Sequence, residues 1–142
     1  PQLYGDRSVN YETPLYYEKL FKIHSKNYRL SVLDEEYSVL AQLHLISNCK
    51  YLSGARYHSL IYSIKYRIPF ISLSYENKML GLLNDIGLSD NSIDLRGRYS
   101  LHDFDIKFTR MQENRDIIAA RINQYYQTAR HQLNVNLNNV FR

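Results

Sequence analysis

Two short stretches of this sequence combine cationic, proton-active and small residues at spacings that suit anion chemistry. The first is Ser53-Gly54-Ala55-Arg56-Tyr57-His58, the second Ser74-Tyr75-Glu76-Asn77-Lys78. In each, a β-prone run gives way to a helical one, so polar side chains fall in or beside a helix's first turn. The unpaired amide groups of such a turn attract anions, and the positive end of the helix dipole adds to the effect. Arg56 can form a two-pronged pair with a phosphate or carboxylate. His58 can give or take a proton near neutral pH. Lys78 would stand near the start of its helix and supply a further positive charge. Two such turns on neighbouring loops would cradle a small, highly charged ligand. Pattern alone leaves structural alternatives open: Arg56 can bridge to a carboxylate on another loop, His58 can be an interior hydrogen-bonding group, and Tyr75 can serve packing.

These turns need a scaffold, and hydrophobic periodicity describes one in which strands and helices alternate. Residues 11–25 read as a helix with Leu15, Leu20, Phe21 and Ile23 on its apolar face, and 29–33 (RLSVL) as a short strand. Residues 35–48 carry Val39, Leu40, Leu43 and Ile46 at helical spacing. A short strand at 51–53 ends at Gly54, and 55–66 place Tyr57, Leu60, Ile61 and Ile64 on one helical face. Pro69 stops that helix and opens the strand FISLS at 70–74. A helix over 77–86 carries Met79, Leu80, Leu82, Leu83 and Ile86 and ends at Gly87, a C′ glycine. Residues 92–95 form a weak strand, and 101–141 are helical in character and rich in Gln and Asn.

Strands separated by helices of ~10–15 residues point to parallel βαβ units, joined by right-handed connections. The expected fold is therefore α/β, a Rossmann-like three-layer domain with a parallel sheet. Residues 1–142 form one domain in this reading, with 101–142 as a carboxyl-terminal helical region. Ligands of such folds bind beyond the carboxyl ends of the strands. That directs attention to the loops after Leu33, Ser53, Ser74 and Leu95.

Composition narrows the function classes. The chain has 142 residues, 44% hydrophobic and 23% charged, an ordinary globular balance. No apolar run reaches the ~20 residues of a membrane span, and the polar opening PQLYGDRSVNYE lacks a signal-peptide core. The formal charge of +4 suits an anionic ligand, but the basic residues are scattered and no nucleic-acid motif occurs. No metal site is expected, because His24, His44, His102 and His131 are dispersed without metal-ligand spacing. Cys49, the single cysteine, excludes an intrachain disulfide and reads as a small buried hydrophobe, which fits a reducing, cytoplasmic setting. The chain has 14 tyrosines. Tyr51, Tyr57, Tyr62, Tyr66 and Tyr75 lie among aliphatics and read as core or rim packing. Asp103, Asp105, Glu113 and Asp116 read as a solvated face and helix amino-terminal charges.

The string SGARYHSLIYSIKYRIPFISLSYENK resembles the signature of the polysaccharide pyruvyl transferase family. That pattern is a small-residue turn, Arg-x-His, an apolar helix, a Pro-led strand and a Ser-Tyr-acidic-x-Lys ending. Arg56, Tyr57, His58, Pro69, Ser74, Tyr75, Glu76 and Lys78 occupy those positions. Many members have Asp where this chain has Glu76. The resemblance extends through Ile86-Gly87-Leu88 and includes Pro1-Gln2 and Asp6, whereas the tail after Leu101 matches only in helical character.

The resemblance implies the carboxyl-terminal, donor-binding half of a fold like that of B-type glycosyltransferases, with the acceptor half absent from this chain. It implies transfer of a pyruvyl group from phosphoenolpyruvate to sugar hydroxyls of a polysaccharide or lipid-linked saccharide. A lipid-linked acceptor would bring peripheral membrane contact. His58 and Arg56 are then the catalytic candidates. Ser53, Gly54, Tyr75 and Lys78 would bind phosphoenolpyruvate, with no further cofactor. Two rival readings are a nucleotide-sugar glycosyltransferase domain, in which Glu76 holds ribose hydroxyls, and a non-catalytic basic binding module.

Overall fold

A computed structural model describes residues 37–140. The chain divides at Ser38 into two units, and the architecture that follows is that of Val39–Arg142. The helix expected at 11–25 and the strand at 29–33 lie outside the described residues, as does the loop after Leu33.

Three parallel strands form the sheet in the order β1-β2-β3: β1 Leu52–Gly54, β2 Phe70–Ser74 and β3 Ser92–Asp94. Leu52 pairs with Phe70 and Gly54 with Ser72, while Ser72 pairs with Ser92 and Ser74 with Asp94. Helices α2 (Tyr57–Tyr66) and α3 (Asn77–Ile86) make the two crossovers. Right-handed connections in this strand order put both on one face of the sheet. Helix α4 (Leu101–Glu113) packs against β2, and α5 (Arg115–Val140) packs against α2 and α3. A shorter helix, α1 (Val39–Ser47), precedes the sheet and touches α2. The result is the expected Rossmann-like α/β arrangement.

The core explains why these segments adopt these elements. Leu60 and Ile64 of α2, Met79, Leu82, Leu83 and Ile86 of α3, and Phe70, Ile71 and Ile93 of the sheet belong to one buried cluster, and Phe70 and Ile71, consecutive on β2, face opposite sides of the sheet. Met111 of α4 and Ile118 and Ile122 of α5 complete the cluster. Each fully buried side chain of this size contributes ~1.5–3 kcal/mol over exposure. β2 is the central strand and buries every residue but Leu73, which is half-buried. Its polar members form a hydroxyl chain: the Ser72 and Ser74 hydroxyls lie 2.7 Å apart, and those of Ser74 and Ser92 2.8 Å apart. No buried polar side chain among the described residues lacks a partner.

Helix ends are set by local chemistry. α3 stops at Gly87, whose φ of 74° is the left-handed conformation glycine adopts without steric cost. The Arg121 guanidinium donates to the Gly87 carbonyl at 2.6 Å, so α5 secures that end. α2 stops at Arg67, a non-glycine residue at φ 59°. The Arg67 Nε donates to Asn123 Oδ1 at 2.8 Å and its guanidinium lies 4.8 Å from the Tyr126 ring centre, so α5 holds this end too. α4 begins with a capping box in which Ser100 and Asp103 satisfy each other's amides.

Several expectations are corrected. The first strand is 52–54 rather than 51–53, because Gly54 stays in the ladder opposite Ser72. α2 begins at Tyr57, with Ala55 outside it and Arg56 as its extended N-cap. β3 ends at Asp94, so Leu95 is not part of the strand. The tail is helical as expected, in two helices that meet at Asn114, whose backbone leaves helical geometry after α4. Helix α1 spans only Val39–Ser47; Val39 and Leu40 are exposed, and the half-buried apolar positions are Ala41, Leu43 and Ile46. Cys49 is exposed, because it lies just past the end of α1 in a turn closed by its amide on the Ile46 carbonyl.

Candidate functional site

The carboxyl ends of the strands present three loops along one sheet edge. The first leaves β1 at Gly54 and enters α2 through Arg56. Gly54 is buried, and a Cβ there would collide with the Ser59 hydroxyl and lie 3.0 Å from Ser59 Cβ and 3.2 Å from Leu52 Cδ2. A side chain at this position would force strand and helix apart. Ser59 in turn donates its hydroxyl to the Arg56 carbonyl, and its amide bonds the same oxygen at 3.0 Å. This tight first turn fixes the Arg56 backbone and leaves its side chain free to reach across.

That side chain reaches the second loop. Arg56 Nη1 donates to the Tyr75 hydroxyl at 3.3 Å, joining the turn after β1 to the turn after β2. Tyr75 is half-buried against the core, as its packing reading expects, yet its hydroxyl faces Arg56. The next residue, Glu76, receives the Lys78 ammonium at 2.8 Å. Lys78 Nζ also lies 5.3 Å from the centre of the Tyr57 ring, a cation–π distance. Tyr57 belongs to the first turn of α2, so the two loops are tied twice. The Lys78 ammonium, hydrogen bonding from Tyr75 and the charges of Lys78 and Arg56 hold the Glu76 carboxyl below its ordinary value, against a smaller opposing effect of burial. Reciprocally, Glu76 raises the Lys78 ammonium.

Neither helix has a side-chain cap: Arg56 and Glu76 are the N-cap residues, and neither side chain bonds a first-turn amide. Both amino termini therefore keep donors and dipole directed toward the sheet edge.

His58 takes a different position from Arg56. It is exposed, and its ring neighbours are Tyr57 at 6.3 Å, edge-on, and Tyr62 at 6.4 Å. Tyr57 thus stands beside both His58 and Lys78, and it is the side chain that relates the histidine to the cationic loop. Ser53 is exposed on β1, one residue before Gly54. Of the six residues expected at the site, Arg56 with Tyr75 and Lys78 with the Tyr57 turn are drawn together. His58 and Ser53 flank them without a direct bond to either cation among the described contacts.

The third loop adds a group that spacing did not single out. Arg96 grips Asp94 with two bonds, Nε to Oδ1 at 2.9 Å and Nη2 to Oδ2 at 2.7 Å, and its Nη1 reaches Asn77 Oδ1 at 2.6 Å. Asn77 is the first residue of α3, so this bracket holds the turn that carries Glu76 and Lys78. Arg96 lowers the Asp94 carboxyl to about 2. A carboxylate with a depressed pKa contributes its pairing fully above the unfolded value near 4 and loses it as pH falls toward 2. The signal available in the sequence was Arg96-Gly97-Arg98 directly after the weak third strand. No group of three potential metal ligands occurs among the described residues. Nor is any helix among them long and apolar enough to cross a membrane.

Comparison with known proteins places this sequence in a family. The profile described as Polysaccharide pyruvyl transferase matches residues 3–77, which include Ser53, Gly54, Arg56, His58 and Tyr75 and stop one residue short of Lys78. The amylovoran biosynthesis protein AmsJ of Erwinia amylovora is 31% identical over 65 residues, covering 46% of this chain and 16% of that protein. No solved structure matches the chain significantly. With more than half of its residues matched by that family model, the chain belongs to the polysaccharide pyruvyl transferase family.

Proposed function

We propose that this chain holds the donor site of an enzyme that transfers the pyruvyl group of phosphoenolpyruvate to sugar hydroxyls as a ketal. The observation that carries the reading is the link from Arg56 to Tyr75, with Lys78 on the same turn. It concentrates two cations on adjacent loops at the edge where α/β folds bind ligands. Phosphoenolpyruvate carries a carboxylate and a phosphate, so it offers one anionic group to each. Residues 1–142 act in this reading as one donor-binding unit, and acceptor binding is assigned to sequence outside them. The acceptor is a polysaccharide or lipid-linked saccharide, and the setting is cytoplasmic.

The chemistry needs a proton on the donor methylene, attack of a sugar hydroxyl on the adjacent carbon, loss of phosphate, and closure by a second hydroxyl. Two hydroxyl protons are given up; one is balanced by the proton gained at the methylene, and the other by the departing phosphate, which takes the bonding electrons of the broken carbon–oxygen bond and leaves as hydrogenphosphate. Arg56 clamps an anionic group and fixes the attacked carbon. His58, exposed beside Tyr57, either donates the methylene proton or contacts the departing phosphate. The base that accepts the sugar protons is assigned to the acceptor side.

Calorimetric titration of the chain with phosphoenolpyruvate and with a uridine-diphosphate sugar tests the reading. Saturable binding of the first and none of the second is expected. The reverse preference would favour the nucleotide-sugar reading. Arg56→Lys keeps the charge but loses the two-pronged geometry. It is expected to weaken phosphoenolpyruvate binding roughly tenfold or more, as loss of a charge-assisted contact does. Unchanged affinity would remove Arg56 from the donor site.

A further inference from the structure

Lys78 does not present a bare charge. Its ammonium is 2.8 Å from the Glu76 carboxylate, and that carboxylate follows directly on Tyr75, the residue Arg56 bonds. Glu76 is therefore an anion set among the groups assigned to the donor. Its position at the N-cap does not explain it, because glutamate is not among the residue types that cap a helix well. Here the carboxylate bonds no first-turn amide and turns to Lys78 instead. Helix α3 thus takes little from it, while the charge of the loop pair is changed by a full unit.

Resting on the donor-site reading above, we propose that Glu76 is a specificity-determining residue: its carboxylate is a resident anion that an incoming anionic group displaces from Lys78. An incoming ligand competes with an internal partner for Lys78 but, among the described residues, meets no such carboxylate bonded to Arg56. A ligand with two separated anionic groups can take Arg56 with one and displace Glu76 with the other. A ligand with one anionic group gains Arg56 alone. Glu76 so lowers the affinity of doubly anionic ligands, which must displace it, more than that of simple carboxylates, which need not, and it does so by opposing binding rather than by adding a contact. No bond is made or broken in this exchange; Lys78 trades one carboxylate for another anion.

The test is calorimetric, on the full chain, with phosphoenolpyruvate and pyruvate as probes. Glu76→Gln keeps the size of the side chain but removes the charge. It is expected to tighten phosphoenolpyruvate binding by about two- to five-fold at low salt, the scale of an exposed ion pair. The gain should shrink as ionic strength rises. Glu76→Asp, which retains the charge, should behave like the parent. In a Lys78→Gln background the same Glu76→Gln change should produce a clearly smaller gain, because Glu76 acts chiefly through Lys78. Pyruvate affinity should rise less than phosphoenolpyruvate affinity. Unchanged or weaker phosphoenolpyruvate binding by Glu76→Gln overturns the inference, as does an undiminished gain without Lys78. Arg56→Lys separates the two levels of claim. If Arg56→Lys weakens binding and Glu76→Gln does too, the resident-anion role falls and the donor site stands. If Arg56→Lys has no effect, the donor site falls and this inference with it.

Discussion

Replacing His58 with alanine is expected to lower turnover by ~10²–10⁴-fold at saturating phosphoenolpyruvate, the range of a positioned acid or base. The fold should be unaffected. His58 is exposed at the second position of α2, and its ring neighbours are Tyr57 and Tyr62 rather than core residues. Unfolding midpoints of parent and variant should therefore coincide. The kinetic signature separates His58 from Arg56, because an acid that acts on the methylene changes the rate at saturation, whereas an anion clamp chiefly changes donor affinity. Steady-state kinetics with the full-length enzyme, varying donor at fixed acceptor, distinguish them. Near-parental turnover at saturation would reduce His58 to a binding residue.

The second large effect is on stability. Phe70 opens the central strand and is fully buried between the helices and the sheet. Phe70→Ala removes most of its side chain from a packed core, which costs ~3–5 kcal/mol. Against a total of ~5–15 kcal/mol for a typical domain, that leaves the fold marginal or unfolded. Urea denaturation should show a lower midpoint with a similar slope, and Phe70→Leu should recover much of the loss. Donor binding should fail together with the fold, since β2 delivers Tyr75 and Lys78 to the site edge. A stability unchanged by Phe70→Ala would contradict the sheet-centred core.

The scaffold was legible where burial and punctuation agree. β2 is a five-residue apolar-rich run opened by Pro69, and α3 has apolar residues at three- and four-residue spacing ended by Gly87; both lie where pattern reading puts them. β1 was displaced by one residue because glycine reads as a strand breaker, whereas parallel pairing with Ser72 keeps Gly54 extended. α2 starts late because its N-cap is arginine, a type that carries no capping signal. Cys49 and the leading residues of α1 were assigned inward on hydrophobicity, yet nothing in their spacing shows which side of a short helix meets solvent.

At the site, residue types were readable but their pairings were not. Arg56 and Tyr75 are 19 residues apart, as are Asn77 and Arg96, and only the stacking of consecutive βα units brings them together. Tyr57 sat on the apolar stripe and read as packing, while its ring also meets Lys78 and His58. The acid of the Ser-Tyr-Glu-Asn-Lys turn was visible as a residue, and its engagement with Lys78 became visible only with coordinates.

The central claim is that phosphoenolpyruvate binds at the edge formed by the loops after β1 and β2. Backbone amide shifts of the isotopically labelled chain during titration with phosphoenolpyruvate test it most directly. Saturable shifts should concentrate at Gly54–His58 and Tyr75–Lys78, with a weaker response at Arg96 through Asn77. The outer half of α5, beyond Tyr126, should not respond. Saturable shifts centred on α5, or none at the two loops at donor concentrations that saturate the enzyme, would contradict the assignment of the donor site.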